Sequence, residues 1–134
     1  MAKAVEIVQQ YYKAFNSRDY AGMLALVDPD VCHEPNQGDL RVGKALLAEF
    51  LESNDAHYEE TLSDFTYLTE PSDQMVAVDF LVDGIYKLTS PGAPPAHGQD
   101  YCLRVNAFLD VAQGKIVRIR TYYNLAYWLH LVSA

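Results

Sequence analysis

At 134 residues the chain has the length of a single domain able to bury about two-thirds of its unfolded surface, with no room for a second one. Half of its residues are hydrophobic and ten are tyrosine, the composition of a packed globule and not of a disordered tail. A formal net charge of -8, with ten dispersed Lys and Arg, argues against nucleic-acid binding because an acidic surface repels phosphate, and no run approaches the roughly 20 apolar residues that span a bilayer.

The first predicted element is a helix over Ala2–Phe15, where Val5, Val8, Tyr12 and Phe15 repeat at helical spacing and Tyr11 flanks the stripe. Asn16-Ser17-Arg18-Asp19 breaks the pattern. Asp19 can cap a second, short helix whose Met23, Leu24 and Val27 face inward until Asp28-Pro29-Asp30 ends it. Val31–Pro35 reads as a short strand followed by the polar turn Asn36-Gln37-Gly38. A third helix is expected from about Gly43 to Ser53, with Leu46, Leu47, Phe50 and Leu51 on its apolar face.

Four strand-like runs follow, His57–Leu68, Met75–Leu88, Tyr101–Val111 and Ile116–Tyr123, separated by turn-forming segments rich in Pro, Gly, Ser and Asp. Tyr123–Leu131 closes the chain as an apolar segment suited to folding over a cavity mouth. Helices first and then an antiparallel meander define an α+β domain covering 1–134. A three-residue turn with Gly114 in the left-handed position sets Leu109, Ala107, Val105 and Leu103 across from Val117, Ile119, Thr121 and Tyr123 on the inner face. Arg104, Asn106, Asp110, Arg118, Arg120 and Tyr122 then point outward.

The N-terminus lacks the apolar run of a signal peptide, and Cys32 and Cys102 match no metal-ligand spacing. Free thiols in a cytoplasmic protein are the expectation, with a disulfide as the alternative. No metal ligand set, phosphate-binding glycine loop or dinucleotide fingerprint is present, so no cofactor is expected.

Tyr11–Asp19, then Val31–Pro35 and then Gly114-Lys115-Ile116-Val117 resemble, in order and spacing, the NTF2-like superfamily that contains ketosteroid isomerases and SnoaL-like cyclases. Three further blocks, His33–Gly38, Gly98–Tyr101 and Tyr122–Leu125, are similar to the ketosteroid isomerase-related subgroup. The resemblance implies a cone in which three N-terminal helices pack on a curved antiparallel sheet, and a hydrophobic, carbonyl-bearing small molecule as ligand. It also implies a homodimer built on the outward sheet face.

By position, the resemblance makes Glu34 the counterpart of the general base of the isomerases and Tyr11 that of the tyrosine that holds the enolate oxygen. The protonated third residue has no match, because Ala107 takes the interior place and Asn106 points away. The aspartate that SnoaL-like cyclases carry near the end of the last strand is replaced by Asn124. His33, Asn36, Gln37, Gln99, Tyr101, Ala107, Tyr123, Asn124 and Trp128 complete the candidate substrate contacts. Each has a plainer reading, as a turn, loop brace or core residue, and His33 alternates with Glu34 and so faces the other way. Two functions stay open: an isomerase-type proton transfer with an incomplete catalytic set, or a module that binds a ligand or dimerises without chemistry.

Overall fold

The computed structural model describes residues 2–133. Helices α1 (Ala4–Asn16) and α2 (Tyr20–Ala25) are followed by strands β1 (Val27–Glu34) and β2 (Arg41–Val42), helix α3 (Lys44–His57), strands β3 (Tyr58–Thr69), β4 (Met75–Tyr86), β5 (Gln99–Ala112) and β6 (Lys115–Tyr123), and helix α4 (Leu125–Val132). The six strands form one sheet in the order β2-β1-β6-β5-β4-β3. All pairs are antiparallel except β1 with β6, which runs parallel and brings the N-terminal strand beside the last one. No helix among the described residues is long and apolar enough to cross a membrane.

Period-two alternation makes the sheet two-faced. On β4, Val76, Val78, Phe80, Val82 and Tyr86 are buried while Asp79 and Asp83 point the other way. On β5, Tyr101, Leu103, Val105, Ala107, Leu109 and Val111 continue the inner surface. Helix α1 lies across β3, β4 and β6, α3 crosses β1, β2 and β3, and α4 packs on β5. The apolar side chains of helices and sheet thus meet in one cluster.

The local chemistry explains the helix limits. Asp19 caps α2 by accepting from the Gly22 amide at 2.9 Å. Helix α1 has no side-chain cap of its own at Lys3. Asp73, in the β3–β4 turn, supplies one by accepting from the Ala4 amide at 3.2 Å, where the helix terminus favours a carboxylate.

Several expectations shift. The buried stripe of α1 is centred on Ile7, Val8, Tyr11 and Tyr12, with Val5 and Phe15 only partly covered. Leu46 of α3 is exposed while Leu47 and Leu51 are buried. Val27 belongs to β1, and the closing apolar segment is the helix α4. The last hairpin turns on two residues, Gln113 and Gly114, both with positive φ (52° and 77°), as a tight hairpin requires. Ala107 therefore pairs with Thr121 and Leu109 with Ile119, two residues away from the expected register. The irregularity sits inside the hairpin, where Val111 pairs with Ile116 but Asp110 with Arg118, leaving Val117 bulged. That extra residue restores the alternation, so Ile119, Thr121 and Tyr123 still share the inner face.

Leu109 lies fully buried in central strand β5 and Leu68 is exposed on edge strand β3. Leu109→Ala should lower unfolding stability by about 2–5 kcal/mol and Leu68→Ala by no more than about 0.5 kcal/mol, measured by urea denaturation.

Candidate functional site

The concave face of the sheet and the helices across it enclose a cavity of about 500 Å³. Its wall is largely apolar, with Phe15, Met23, Leu47, Phe50, Phe80 and Val105 among the lining residues. A few polar groups break that surface, as ligand sites commonly do.

The main polar feature spans three strands. Glu60 of β3 pairs with Gly84 of β4, and Gly84 with Tyr101 of β5, so the three stand in one row on the inner face. The Tyr101 hydroxyl reaches past Gly84 and donates to Glu60 Oε2 at 2.5 Å, while Asn54 Nδ2 of α3 donates to Oε1 at 3.3 Å. A Cβ at position 84 would run into Cζ, Cε2 and the hydroxyl of Tyr101. The glycine is therefore what lets the ring lie flat over the central strand. Trp128 of α4 meets Tyr58, Tyr86 and Tyr101 edge-on, with ring centroids 5.2–5.9 Å away, and holds the Tyr101 ring in place.

Burial pushes the Glu60 carboxyl above its ordinary range, although hydrogen bonds from Tyr101 and Asn54 and the Arg18 charge pull the other way. Burial and the neighbouring Glu60 charge push the Tyr101 hydroxyl up as well, which keeps it a donor. Across the cavity, His33 of β1 is 4 % exposed and packs edge-on against Phe50 at 4.6 Å. Burial, with the positive Arg41 nearby, lowers it to about 4, so the imidazole is neutral at physiological pH. Tyr11 lines the same space with its ring buried, and its hydroxyl takes no protein hydrogen bond among the described residues. Burial pushes that hydroxyl well up, so it stays protonated.

Of the residues singled out from the sequence, Tyr11, His33, Asn36, Gln37, Tyr101, Tyr123 and Trp128 line the cavity. Asn36 also accepts from the Tyr123 amide at 3.0 Å, fixing the end of β6. Four placements need correction. Glu34 stands on the outer face, held by Arg118 Nε at 2.6 Å and paired with that guanidinium. Val31 and His33 of the same strand are both buried, so alternation turns Glu34 away from the interior. Gln99 is a brace, donating to the carbonyls of Pro95 and Val132 at 2.9 Å each. Ala107 is sealed in the core, outside the cavity lining, and Asn124 caps α4 by accepting from Tyr127 N at 3.0 Å.

Glu60, Asn54 and Gly84 were missed. Glu60 could have been found by counting back two from Leu62 within the strand, and Gly84 as a glycine interrupting an otherwise apolar inner face. Among the described residues no group of three or more His, Cys, Asp and Glu could hold a metal ion.

A helix-lined, curved six-stranded sheet closed by a parallel first strand is the NTF2-like architecture. It is shared with a protein from Catenulispora acidiphila described as having a ketosteroid isomerase-like fold (TM-score 0.77, 18% identity, 95% of this chain and 92% of that one covered). The model of the SnoaL-like domain matches residues 8–119, and the chain belongs to that family. It is similar to a putative polyketide cyclase from Xanthomonas campestris, at 41% identity and TM-score 0.94 over 97% of this chain and 96% of that one. A second, from Pseudomonas putida, is 39% identical with TM-score 0.96 over 98% and 99%. No curated protein matches the chain.

Gly84→Ala should push Tyr101 off the carboxylate. Because the Tyr101 hydrogen bond lowers the Glu60 pKa, the variant should titrate Glu60 at higher pH than the parent, measured by NMR of the labelled carboxyl. An unchanged titration would show that Gly84 does not hold the pair together.

Proposed function

We propose that the protein is an isomerase- or cyclase-type enzyme that moves a proton on a hydrophobic, carbonyl-bearing small molecule, with Glu60 as the base. The observation that carries this reading is a carboxylate raised by burial, oriented by two donors and facing an apolar cavity. The cyclase name borne by relatives about two-fifths identical supports the substrate class.

In the reaction, ionised Glu60 takes a proton from the carbon beside the carbonyl and the electron pair moves to oxygen as an enolate. Tyr11 donates to that oxygen, a hydrogen bond that strengthens as charge develops. The carboxylic acid then returns the proton to carbon, at the original site or at a conjugated one, or the enolate carbon attacks a second carbonyl of the same chain and the alkoxide so formed takes the proton back from Glu60. Tyr101 and Asn54 keep the carboxylate aimed while Glu60 changes charge.

A second reading, a ligand carrier without chemistry, draws support from the outward position of Glu34, which leaves the cavity with one carboxylate. Glu60→Gln separates the two. Turnover of a β,γ-unsaturated ketone, followed by the absorbance of the conjugated product, should fall about 10²- to 10⁴-fold while ligand binding, read from Trp128 fluorescence, survives. Tyr11→Phe should cost about 10²-fold. A parent rate no faster than the uncatalysed background would leave the carrier.

The same substitution has a readout independent of catalysis. A carboxyl whose folded pKa lies above its unfolded value makes the protein less stable as pH rises through the interval between the two. Glu60→Gln should therefore be more stable than the parent at neutral pH and lose that advantage below the ordinary carboxylate pKa, as thermal unfolding at both pH values would show.

A homodimer on the outer sheet face is part of the proposal. There the Arg120 guanidinium lies over the Phe108 ring at 5.4 Å, and Tyr122 is exposed. A second copy would cover these groups and offer acceptors to Arg120. Sedimentation at micromolar concentration should give a dimer that Arg120→Glu dissociates.

A further inference from the structure

The imidazole of His33 takes no part in the proton transfer proposed above, yet it lies in the wall of the cavity on β1, with β6, β5 and β4 separating that strand from the one that carries Glu60. Its Nδ1 is sealed from solvent and has no hydrogen-bond partner. A proton on Nδ1 would be a buried donor without an acceptor, and orphaned N–H groups are the rarer and costlier kind of unsatisfied group. The neutral ring therefore keeps its single proton on Nε2, the nitrogen left to face the cavity.

We propose that His33 is a second polar subsite, donating from Nε2–H to an acceptor oxygen of the ligand, so that the natural ligand carries two separated oxygen functions on an apolar frame. One oxygen belongs at the Tyr11 and Glu60 site, and this assignment rests on that reading of the cavity; the other belongs at His33. Phe50, edge-on to the imidazole, fixes the ring plane and with it the direction of the donor. A ligand with only the first oxygen leaves the His33 donor unpaired in an apolar pocket, which disfavours it. His33 is then a specificity residue, and chemistry at the other carbonyl does not need it.

The test uses two probes that differ by one oxygen, 5α-androstan-3-one and 5α-androstane-3,17-dione, with binding followed by the fluorescence of Trp128 in the cavity wall. The parent protein should bind the dione more tightly by roughly five-fold, the worth of one net hydrogen bond. His33→Phe keeps a flat ring without the donor and should erase that preference by weakening the dione, while the mono-ketone, freed of an unpaired donor, binds at least as tightly as before. His33→Gln, which places an N–H near the former Nε2, should restore part of it. Equal binding of the two probes by the parent, or equal weakening of both by His33→Phe, would overturn the subsite and leave the cavity reading standing. Binding of neither probe by a folded parent would overturn the cavity reading, and the subsite with it.

Discussion

A carboxylate on the apolar side of a sheet must be satisfied by hydrogen bonds or give up its charge, and Glu60 imposes that constraint on everything around it. The Tyr101 hydroxyl meets it from two strands away, so the strand between must offer no side chain, and Gly84 supplies that gap. Trp128 packs beside the Tyr101 ring, so the last helix helps to hold the donor to the carboxylate. The second donor, Asn54, sits in the last turn of α3. Two donors, one six residues away along the chain and one far from it, therefore converge on one pair of oxygens.

The same alternation that puts Glu60 inside puts Glu34 outside. Both acids occupy strands, and what separates them is the parity of one buried neighbour, Leu62 in one case and Val31 in the other. Outside, Glu34 needs only the half-exposed Arg118, a pair worth about 0–1 kcal/mol. Inside, Glu60 needs a tyrosine, an amide and a glycine. The difference in supporting structure is what favours Glu60 over Glu34 for the proposed role, since an apolar residue would stabilise that position as well or better.

Local chemistry made most of this fold readable from the sequence. Helical spacing placed α1 and α3 within a few residues, the Asp19 cap located α2, and alternation along the last hairpin gave the inner face of β5 at Leu103, Val105, Ala107 and Leu109. The parallel pairing of β1 with β6 was not legible, because it depends on how the sheet closes across nearly the whole chain and not on any local signal. The hairpin register failed for a related reason: Gln113 adopts positive φ beside Gly114, and a two-residue turn with a bulge further along looks much like a three-residue turn. In the site, family likeness led to Glu34 by its position in the chain, whereas alternation set it opposite His33, and it is His33 that shares the buried face with Val31. Tyr11, His33 and Tyr101 were found through the same likeness, because they stand in the blocks that carry it. Asn54 was not, because its partner is fixed only by the packing of α3 against β3.

The strand that carries Glu60 is the outer edge of the sheet, an unpromising place for a group that must be held to a few tenths of an ångström. Edge strands have one row of unpaired backbone groups and the freedom that goes with it. Helix α1 removes that freedom at this point. Asn16, in its last turn, donates to the Leu62 carbonyl and accepts from the Leu62 amide, both at 2.9 Å, so one side chain replaces a neighbouring strand two residues from Glu60. At its other end, α1 is tied to the β3–β4 turn through Asp73 and the Ala4 amide. The helix is thus fastened at both ends to the edge of the sheet, while its middle supplies Tyr11 to the cavity. The proposed donor and base are thus mounted on two elements fastened to one another, a coupling suited to the proton transfer proposed for them.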